Sequence, residues 1–300
     1  MSNKPKIAIV GVGRWGKNLL KEFDQQADVV WVCHNSSDDT NKFLSENFPS
    51  VKITTNFLEI LEDKTIDAVV IATPTVTHFE IAEKAMGSGK HVFLEKPGTT
   101  KSQNLEKLAE NAREKKLIFV VGYEFPHHPA SKKLSELLNG KKIKSLLFLW
   151  QKWGTFYYDS VPHLLSHDVS VSKYLGVENI LPITHKRIPV ISDSDIIETE
   201  FSGDNDVYIK SIINRASPKN TKELTVILED TTYVWSNNEL FEIDKKSETF
   251  NKIDIEQTTP VANEIRDFLS SIESGNQPIS NGVFAVGVYK IIESVINLLR

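Results

Sequence analysis

Three glycines near the N-terminus have the spacing of a phosphate-binding turn. Gly11, Gly13 and Gly16 follow a run of β-branched residues, and an amphipathic stretch begins at Lys17. In such a strand-turn-helix unit the first glycine permits the tight turn, the second lets the backbone approach a pyrophosphate, and the third allows close packing of helix on strand. The helix N-terminus then offers its N–H groups to the phosphates. The spacing predicts a dinucleotide site, although glycines that serve only packing would give the same pattern.

Polar residues follow the second predicted strand, residues 28–33, where the adenosine ribose of a dinucleotide would lie. A site selective for NAD usually has a carboxylate here, which accepts from the ribose 2'-hydroxyl. This chain instead has His34, Asn35 and Ser36, and we expect all three to contact the cofactor. The missing carboxylate favours NADP, whereas two aspartates nearby and the lack of a local arginine favour NAD. The predicted cofactor is therefore NAD(P), with NADP favoured over NAD.

Two histidines, His163 and His167, are four residues apart in a segment that predicts a helix ending near Gly176. On a helix, residues at this spacing share a face, so both imidazoles could serve one site. Histidine titrates near neutrality, which suits a group that exchanges a proton. The same spacing could hold zinc, but a hydrolytic zinc helix has glutamate after the first histidine, and this chain has Leu164 there. We therefore predict no metal site.

The elements that must position these groups alternate between strands and helices in the first part of the chain. After the first strand, apolar runs at 28–33, 67–73, 91–94 and 117–121 predict further strands, and helical patterns fill the gaps. This alternation predicts an α/β Rossmann domain over residues 1–122, with a doubly wound parallel sheet. Because ligands bind outside the carboxyl ends of such strands, we expect site residues at those ends.

The pattern changes after Lys142, where long segments of alternating or β-rich composition begin. These segments are 143–153, 180–188, 195–201, 206–216 and 224–235. They predict an α+β C-terminal domain over residues 123–300, with a large, mostly antiparallel open sheet and two closing helices at about 261–275 and 282–299. The apolar run Leu146–Trp150 indicates that a second subunit covers part of this sheet, with a fully intramolecular core as the alternative.

Composition limits the partners of this chain. Its net charge is -5 over 300 residues with both signs interspersed, so it lacks the basic stripe that tracks nucleic acid. Cys33 is the only cysteine, which excludes an internal disulfide, and the first residues are too polar for a signal peptide. No apolar run reaches the roughly twenty residues that cross a bilayer. These observations predict a cytoplasmic protein that binds neither nucleic acid nor membrane.

Three segments together resemble one known family. They are the glycine turn, Ala-Thr-Pro-Thr-Val-Thr-His at 72–78, and Glu-Lys-Pro at 95–97. In this combination the chain resembles the Gfo/Idh/MocA oxidoreductases, the group of glucose-fructose oxidoreductase and inositol dehydrogenase. A weaker similarity at 121–129 and 164–170 resembles the members that act on nucleotide-linked sugars.

The resemblance implies three catalytic residues. Lys96 would hydrogen-bond the reacting hydroxyl or carbonyl, and its peptide bond to Pro97 would be cis, a minority state for X-Pro bonds. His167 would exchange a proton with the substrate while hydride moves to or from the nicotinamide. His163 stands where the family commonly has an aspartate. The chemistry of Lys96 agrees, because a partly desolvated lysine at a strand end stabilises alkoxide charge, although a solvated surface lysine is the alternative.

The remaining candidates would surround the cofactor and the substrate. The predicted cofactor-binding residues are Gly11, Gly13, Arg14, Trp15, Gly16, His34, Asn35, Ser36, Thr73, Pro74, His78, Glu95 and Lys96. The predicted substrate-binding residues are Tyr123, Glu124, His128, His163 and Asp168.

The sequence therefore predicts an NAD(P)-dependent oxidoreductase that transfers hydride between the nicotinamide and a secondary alcohol or ketone of a sugar or nucleotide-sugar. Other readings stay open: an enzyme whose redox step is transient, a dinucleotide-binding regulatory protein, and a redox-inactive scaffold. The family's sheet-to-sheet assemblies also imply a homodimer or homotetramer through the C-terminal sheet.

Overall fold

The computed structural model describes residues 4–35 and 37–298. Its internal contacts divide the chain into two compact units, and each contains one sheet. The first unit comprises Met1–Tyr123 and Val261–Val286, and the second comprises Glu124–Pro260 and Gly287–Arg300.

A six-stranded parallel sheet forms the centre of the first unit. Its strands are β1 (Lys6–Val10), β2 (Asp28–Cys33), β3 (Lys52–Thr54), β4 (Ala68–Ile71), β5 (His91–Leu94) and β6 (Phe119–Val121), in the order β3-β2-β1-β4-β5-β6. The connecting helices are α1 (Arg14–Gln26), α2 (Asp38–Asn47), α3 (Phe57–Glu62), α4 (Thr75–Gly87) and α5 (Ser102–Glu114). Since the order reverses beside β1, the crevice outside β1 and β4 is the expected ligand site of such a sheet.

The predicted Rossmann fold of this unit is confirmed. Its central strands are short apolar runs buried along their whole length, as in β4, because helices cover both faces of the sheet. The sequence analysis did not predict β3, since only Thr54 of its three residues is buried and the strand carries no apolar run.

An eight-stranded sheet forms the second unit. Its strands are β7 (Ser145–Trp153), β8 (Leu181–Ile188), β9 (Ile196–Ser202), β10 (Tyr208–Asn214), β11 (Ala216–Ile227), β12 (Thr231–Ser236), β13 (Glu239–Asp244) and β14 (Thr249–Ile253). Their order is β14-β13-β12-β11-β7-β10-β9-β8, and all neighbours are antiparallel except β7 and β10. The helices are α6 (Pro129–Leu137) and α7 (Ser166–Tyr174). The predicted mostly antiparallel sheet is confirmed.

One predicted segment of this sheet, 224–235, is corrected by the structure. It forms the ends of two strands, β11 and β12, joined by a tight turn in which the Leu228 N–H donates to the Thr231 carbonyl at 2.9 Å. Asp230-Thr231-Thr232 supplies turn chemistry inside the segment, and the structure has the turn at this point, since β11 ends at Ile227 and β12 begins at Thr231. β13 and β14 were not predicted, because most of their residues are polar and incompletely buried.

Two helices close the described chain, α8 (Pro260–Ser274) and α9 (Gly282–Asn297). The sequence analysis placed 261–286 in the C-terminal domain, whereas the contacts of these residues group them with the first unit. The reason is aromatic packing: the Phe268 ring lies 6.4 Å from Phe23 and 5.6 Å from Phe93. Within the described ranges, no helix is long and apolar enough to cross a membrane.

Candidate active site

The glycine turn has the geometry of a close approach between backbone segments. Gly11 has φ +93°, and a Cβ there would lie 2.7 Å from the Ala72 carbonyl oxygen. A Cβ at Gly16 would collide with the Gly11 carbonyl. Gly13 differs, because no described atom lies within 4 Å of its would-be Cβ. The turn is therefore closed toward the protein at two glycines and open toward a ligand at the third.

The start of α1 is open to an anion. Gly13 is the N-cap, no side chain caps the helix, and its first turn carries no acidic residue. The first N–H groups of a helix have no intrahelical partners, so an uncapped N-terminus is suited to bind phosphate. Arg14 and Trp15 are both exposed at this end, as predicted cofactor contacts must be.

Trp15 connects the turn to the Glu-Lys-Pro segment. Its indole N–H donates to the carboxylate of Glu95, which is buried at the end of β5. The backbone N–H of Lys96 donates to the second oxygen of the same carboxylate at 3.1 Å. Lys96 itself is half-buried, and its peptide bond to Pro97 is cis, which confirms that prediction.

The end of β4 carries the next predicted residues. Thr73 is half-buried and its hydroxyl lies 2.8 Å from that of Thr77, while Pro74 is exposed. His78 is buried, and its ring nitrogens lie 2.8 Å from the Gly98 carbonyl oxygen and 2.7 Å from that of Thr73. Burial lowers its pKa. Both nitrogens of His78 thus face the chain's own backbone, which gives this residue a role in holding two strand-end loops together.

The end of β2 contains a polar atom that lacks a protein partner. His34 is buried, and within the described ranges its Nε2 has no hydrogen-bond partner. Burial lowers the pKa of His34, and the positive charge of Lys17 lowers it further. Asn35 is exposed beside it, and Ser36 lies outside the described residues.

The sequence analysis found no arginine near this strand end, and the structure supplies a lysine. Lys17 lies on α1, with its Nζ 4.7 Å from the centroid of the Phe43 ring, and its charge acts on His34. Lys21 lies on the same helix, 5.7 Å from the same ring. The sequence signal was the pair of lysines four apart on a helix that must pack beside β2. The open turn, the uncapped helix and the orphaned His34 nitrogen together fit a dinucleotide.

Tyr123 is fully buried in the first unit, and its hydroxyl donates to the Pro97 carbonyl at 3.4 Å. This hydrogen bond ties the Tyr123 side chain to the loop that follows Lys96. The side chain offers no surface to a substrate, so the structure gives Tyr123 a structural role in place of the predicted one. Glu124 follows it, half-buried, at the start of the second unit.

In the second unit, His163 and His167 lie on successive elements. His163 lies in a π-helical turn, Val161–Leu165, and its ring centroid lies 4.6 Å from that of Tyr158. His167 is on α7 and only 4% exposed. A π turn advances more residues per turn than an α-helix, so the spacing of four no longer stacks the two rings as it would on one α-helix.

His167 lies in an aromatic cluster that the sequence analysis did not predict. Its ring centroid is 4.5 Å from Phe125 and 5.3 Å from Trp150. The Nζ of Lys222 lies over the same two rings, 3.0 Å and 4.2 Å from their centroids. Ring faces attract a cation, so Phe125 and Trp150 hold an ammonium group close to the candidate acid/base. No local motif marked Lys222, which comes from the middle of β11.

Asp168 is buried beside His167. Its Oδ2 accepts from the Ser211 hydroxyl at 2.5 Å. Burial raises the pKa of this carboxyl to about 7, although the Ser211 hydrogen bond and the Lys222 charge both oppose the increase. Near neutral pH the group is therefore divided between its neutral and charged forms.

Replacing Asp168 with Asn tests this environment. The pKa of Asp168 is about 7 in the folded protein and close to its usual value of about 4 in the unfolded chain. The free energy of unfolding therefore falls as the pH rises between about 4 and 7. Asn cannot ionise and still accepts from Ser211. We expect the variant to gain about 2–4 kcal/mol of unfolding free energy relative to the parent over that interval, measured by urea unfolding at several pH values. Asp193→Asn, at an exposed position, is the control, and a pH-independent difference for Asp168→Asn would contradict the prediction.

Two further histidines of this unit, His127 and His128, are buried. His128 caps α6 by accepting from the Ala130 N–H at 3.0 Å, and its ring lies 4.5 Å from Trp235. Burial lowers the pKa of His128 to about 4 and that of His127 to about 3. Within residues 4–35 and 37–298, no group of three or more potential ligand side chains has the arrangement of a metal site.

A buried ion pair fixes the loop that carries Tyr158. Arg215 lies 3.2 Å from Asp195, and both side chains are almost completely buried. The Arg215 guanidinium also donates to the carbonyls of Thr155 and Tyr158. Because the loop backbone is held in this way, the Tyr158 ring is kept against His163.

Comparison with known proteins gives one family. Residues 5–123 match the GFO_IDH_MocA model, described as an oxidoreductase family with an NAD-binding Rossmann fold. The UDP-N-acetylglucosamine 3-dehydrogenase of Acidithiobacillus ferrooxidans is 22% identical over 295 residues, covering 93% of this chain and 92% of the relative. The scyllo-inositol 2-dehydrogenase (NAD(+)) of Bacillus subtilis is 33% identical over 208 residues, covering 63% and 59%.

Solved structures show the same fold over nearly the whole chain. The crystal structure of the Acidithiobacillus ferrooxidans enzyme aligns with a TM-score of 0.88 and 21% identity, covering 98% of this chain and 99% of that one. KijD10, a 3-ketoreductase from Actinomadura kijaniata in complex with TDP-benzene and NADP, aligns with a TM-score of 0.85 and 16% identity, covering 98% and 97%. Residues 5–123, which contain the glycine turn and the Glu-Lys-Pro segment in the arrangement described above, thus match the NAD-binding Rossmann domain of the Gfo/Idh/MocA oxidoreductase family.

Proposed function

We propose that this protein transfers hydride between NAD(P) and a secondary alcohol or ketone of a nucleotide-linked sugar. One observation carries the proposal: the buried Glu95 carboxylate joins the exposed Trp15 of the glycine turn to the backbone of half-buried Lys96. This linkage joins the backbone of Lys96 to the glycine turn at the same sheet edge. The names of two relatives, a UDP-N-acetylglucosamine 3-dehydrogenase and a dTDP-3,4-didehydro-2,6-dideoxy-alpha-D-glucose 3-reductase, support the substrate class.

Lys96, His167 and His163 each have a different proposed role in the reaction. A bound nicotinamide supplies or accepts the hydride. Lys96 donates a hydrogen bond to the substrate oxygen and stabilises its developing negative charge. His167 accepts the hydroxyl proton during oxidation and returns it during reduction. His163, which packs on Tyr158, contributes to orienting the substrate.

The dinucleotide would be held by the open turn at Gly13, the first N–H groups of α1 and the β2 end. Thr73, Pro74 and Asn35 provide further polar or exposed surface at this edge. We propose NADP as the preferred form, because the Lys17 ammonium and the unpaired Nε2 of His34 provide groups that a 2'-phosphate can engage.

Replacing Lys17 with Met tests this preference. Loss of one charge-assisted contact should raise the Kd for NADP about tenfold, since a contact of this type contributes about 1.5 kcal/mol. The Kd for NAD should change by less than about twofold, because NAD has no 2'-phosphate. Fluorescence titration with both dinucleotides measures the two constants. Lys42→Met, an exposed lysine on α2, is the matched control, and an equal loss for NAD and NADP would contradict the assignment.

The function itself is tested by nicotinamide absorbance. Purified protein is mixed with NADP or NADPH and a panel of UDP- and dTDP-linked sugars and their keto forms. We expect stoichiometric change of the cofactor's redox state with at least one of them. Product formation without net cofactor change would favour transient redox, and dinucleotide binding without any turnover would favour a regulatory protein.

The predicted homodimer or homotetramer is also part of this proposal. The second unit exposes large apolar side chains on its sheet, among them Trp153, Leu181, Ile183 and Phe250. Exposed apolar surface of this kind is typical of subunit contacts. A second copy of the chain would cover it.

A further inference from the structure

The second unit contains a cleft that the proposed proton and hydride steps do not use. Its volume is about 440 Å³, within the range of small-molecule sites. The described residues that line it include two lysines, three asparagines, an imidazole and two larger aromatic rings, and no carboxylate. The cleft therefore has a positive, hydrogen-bonding and aromatic surface, whereas the chain as a whole is acidic.

The two lysines lie on the same face of neighbouring strands. Lys222 of β11 pairs with Trp150 of β7, and Lys152 follows Trp150 by two residues. Residues two apart on a strand share a face, and diagonal neighbours on adjacent strands lie about 7–8 Å apart. Lys152 is exposed, and among the residues that the structure describes it has no ion pair. Its charge is available to a ligand in the cleft.

Aromatic and amide groups complete the cleft. The Trp150 and Phe125 rings lie beneath the Lys222 ammonium, and the His128 ring lines the same surface. Asn238 hydrogen-bonds His128, and the Asn237 side-chain oxygen accepts from the backbone N–H of Lys222 at 3.1 Å. Both asparagines are exposed in the turn between β12 and β13, with an amide NH₂ able to donate.

We propose that this cleft binds the nucleoside diphosphate part of the substrate. This assignment rests on the proposed function, because it locates one half of a nucleotide-linked sugar. Ammonium groups bind phosphate oxygens, aromatic side chains make apolar contact with a base, and amides read the edge of a base. Each of these three chemistries is present, and the absence of a carboxylate from the described lining removes the group that would repel a diphosphate.

Binding of UDP to the full chain tests the proposal, with NADP kept at saturation so that the dinucleotide turn is occupied. Isothermal titration should show UDP binding at least about tenfold tighter than either uridine or pyrophosphate, since phosphate and base contacts both contribute. Lys152→Gln should raise the Kd for UDP about tenfold, because it removes one charge-assisted contact. Lys186→Gln, an exposed lysine on β8 outside the cleft, is the matched control and should leave it unchanged within about twofold.

The outcomes separate this proposal from the proposed function. If Lys152→Gln and Lys186→Gln bind UDP equally, or if pyrophosphate binds as tightly as UDP, the cleft is not a nucleoside diphosphate site, even where turnover is observed. If UDP binding depends on Lys152 but no nucleotide-sugar is turned over, the cleft assignment stands and the proposed function fails. Where turnover is observed, Lys152→Gln should raise KM about tenfold with kcat changed less than about twofold.

Discussion

Replacing Lys96 with Met is expected to lower kcat by about 10²–10³-fold, the usual cost of removing one donor that stabilises a developing oxyanion. The reason is the position of Lys96 directly after Glu95, whose carboxylate is joined to the cofactor turn through Trp15. The affinity for NADP should change less than about fivefold, because in the proposed binding mode the glycine turn and α1 hold the phosphates. Steady-state kinetics with the best nucleotide-sugar, together with NADP titration, measure both quantities.

Lys101→Met is the control for this experiment. Lys101 is an exposed lysine that follows the same loop, and Thr99 contacts only its backbone carbonyl, at 2.7 Å. The variant removes the same charge from the same region and should keep kcat within about twofold of the parent. If Lys96→Met retained full turnover, Lys96 would be a solvated surface lysine and the proposed mechanism would have lost its electrophilic group.

Replacing His167 with Asn is expected to lower kcat by about 10²–10⁴-fold, the range for removal of a general acid or base. Asn approximates the size of the ring near its attachment but cannot exchange a proton in the pH range of the assay. The pH profile distinguishes this from a structural effect. In the parent, kcat should change with pH as the imidazole gains or loses its proton, which gives one limb of the pH profile. The variant should lack this limb.

His185→Asn is the matched control in the same unit. His185 lies on β8, and its Nδ1 lies 2.8 Å from the Thr199 hydroxyl of β9. It belongs to neither the aromatic cluster nor the cleft. It should keep both kcat and the shape of the pH profile. A His167→Asn variant that loses activity but retains the parent's pH limb would show that His167 only packs between Phe125 and Trp150, and another residue would then have to move the proton.

The candidate cofactor site was largely predictable because its signals are local. The spacing of Gly11, Gly13 and Gly16 reflects backbone geometry that a few adjacent residues determine. Alternating apolar runs likewise identified the Rossmann strands, since each buried strand must carry its own apolar residues. The roles of the side chains at the site were less predictable. His78 and Tyr123 were expected to face ligands, and the structure shows both turned inward toward backbone carbonyls.

The second unit depended more on contacts between distant residues. The turn between β11 and β12 has a sequence signal at Asp230-Thr231-Thr232, but the hydrogen bond that closes it, from the Leu228 N–H to the Thr231 carbonyl, is a property of the folded hairpin. The high pKa of Asp168 also has no signal in the sequence, since it results from burial that several elements produce together.

The sequence by itself determined the class of each domain, the glycine turn and the family resemblance of residues 5–123, because strand periodicity, glycine spacing and short motifs depend on neighbouring residues. Only the tertiary structure decided which lysines lie beside the end of β2 and beside the aromatic cluster of His167. Lys17 reaches the end of β2 from α1, and Lys222 reaches Phe125 from β11. It also decided that α8 packs with the first unit. Such contacts join residues far apart in the chain, and their energies arise only when the packed core brings the partners together and removes water from between them.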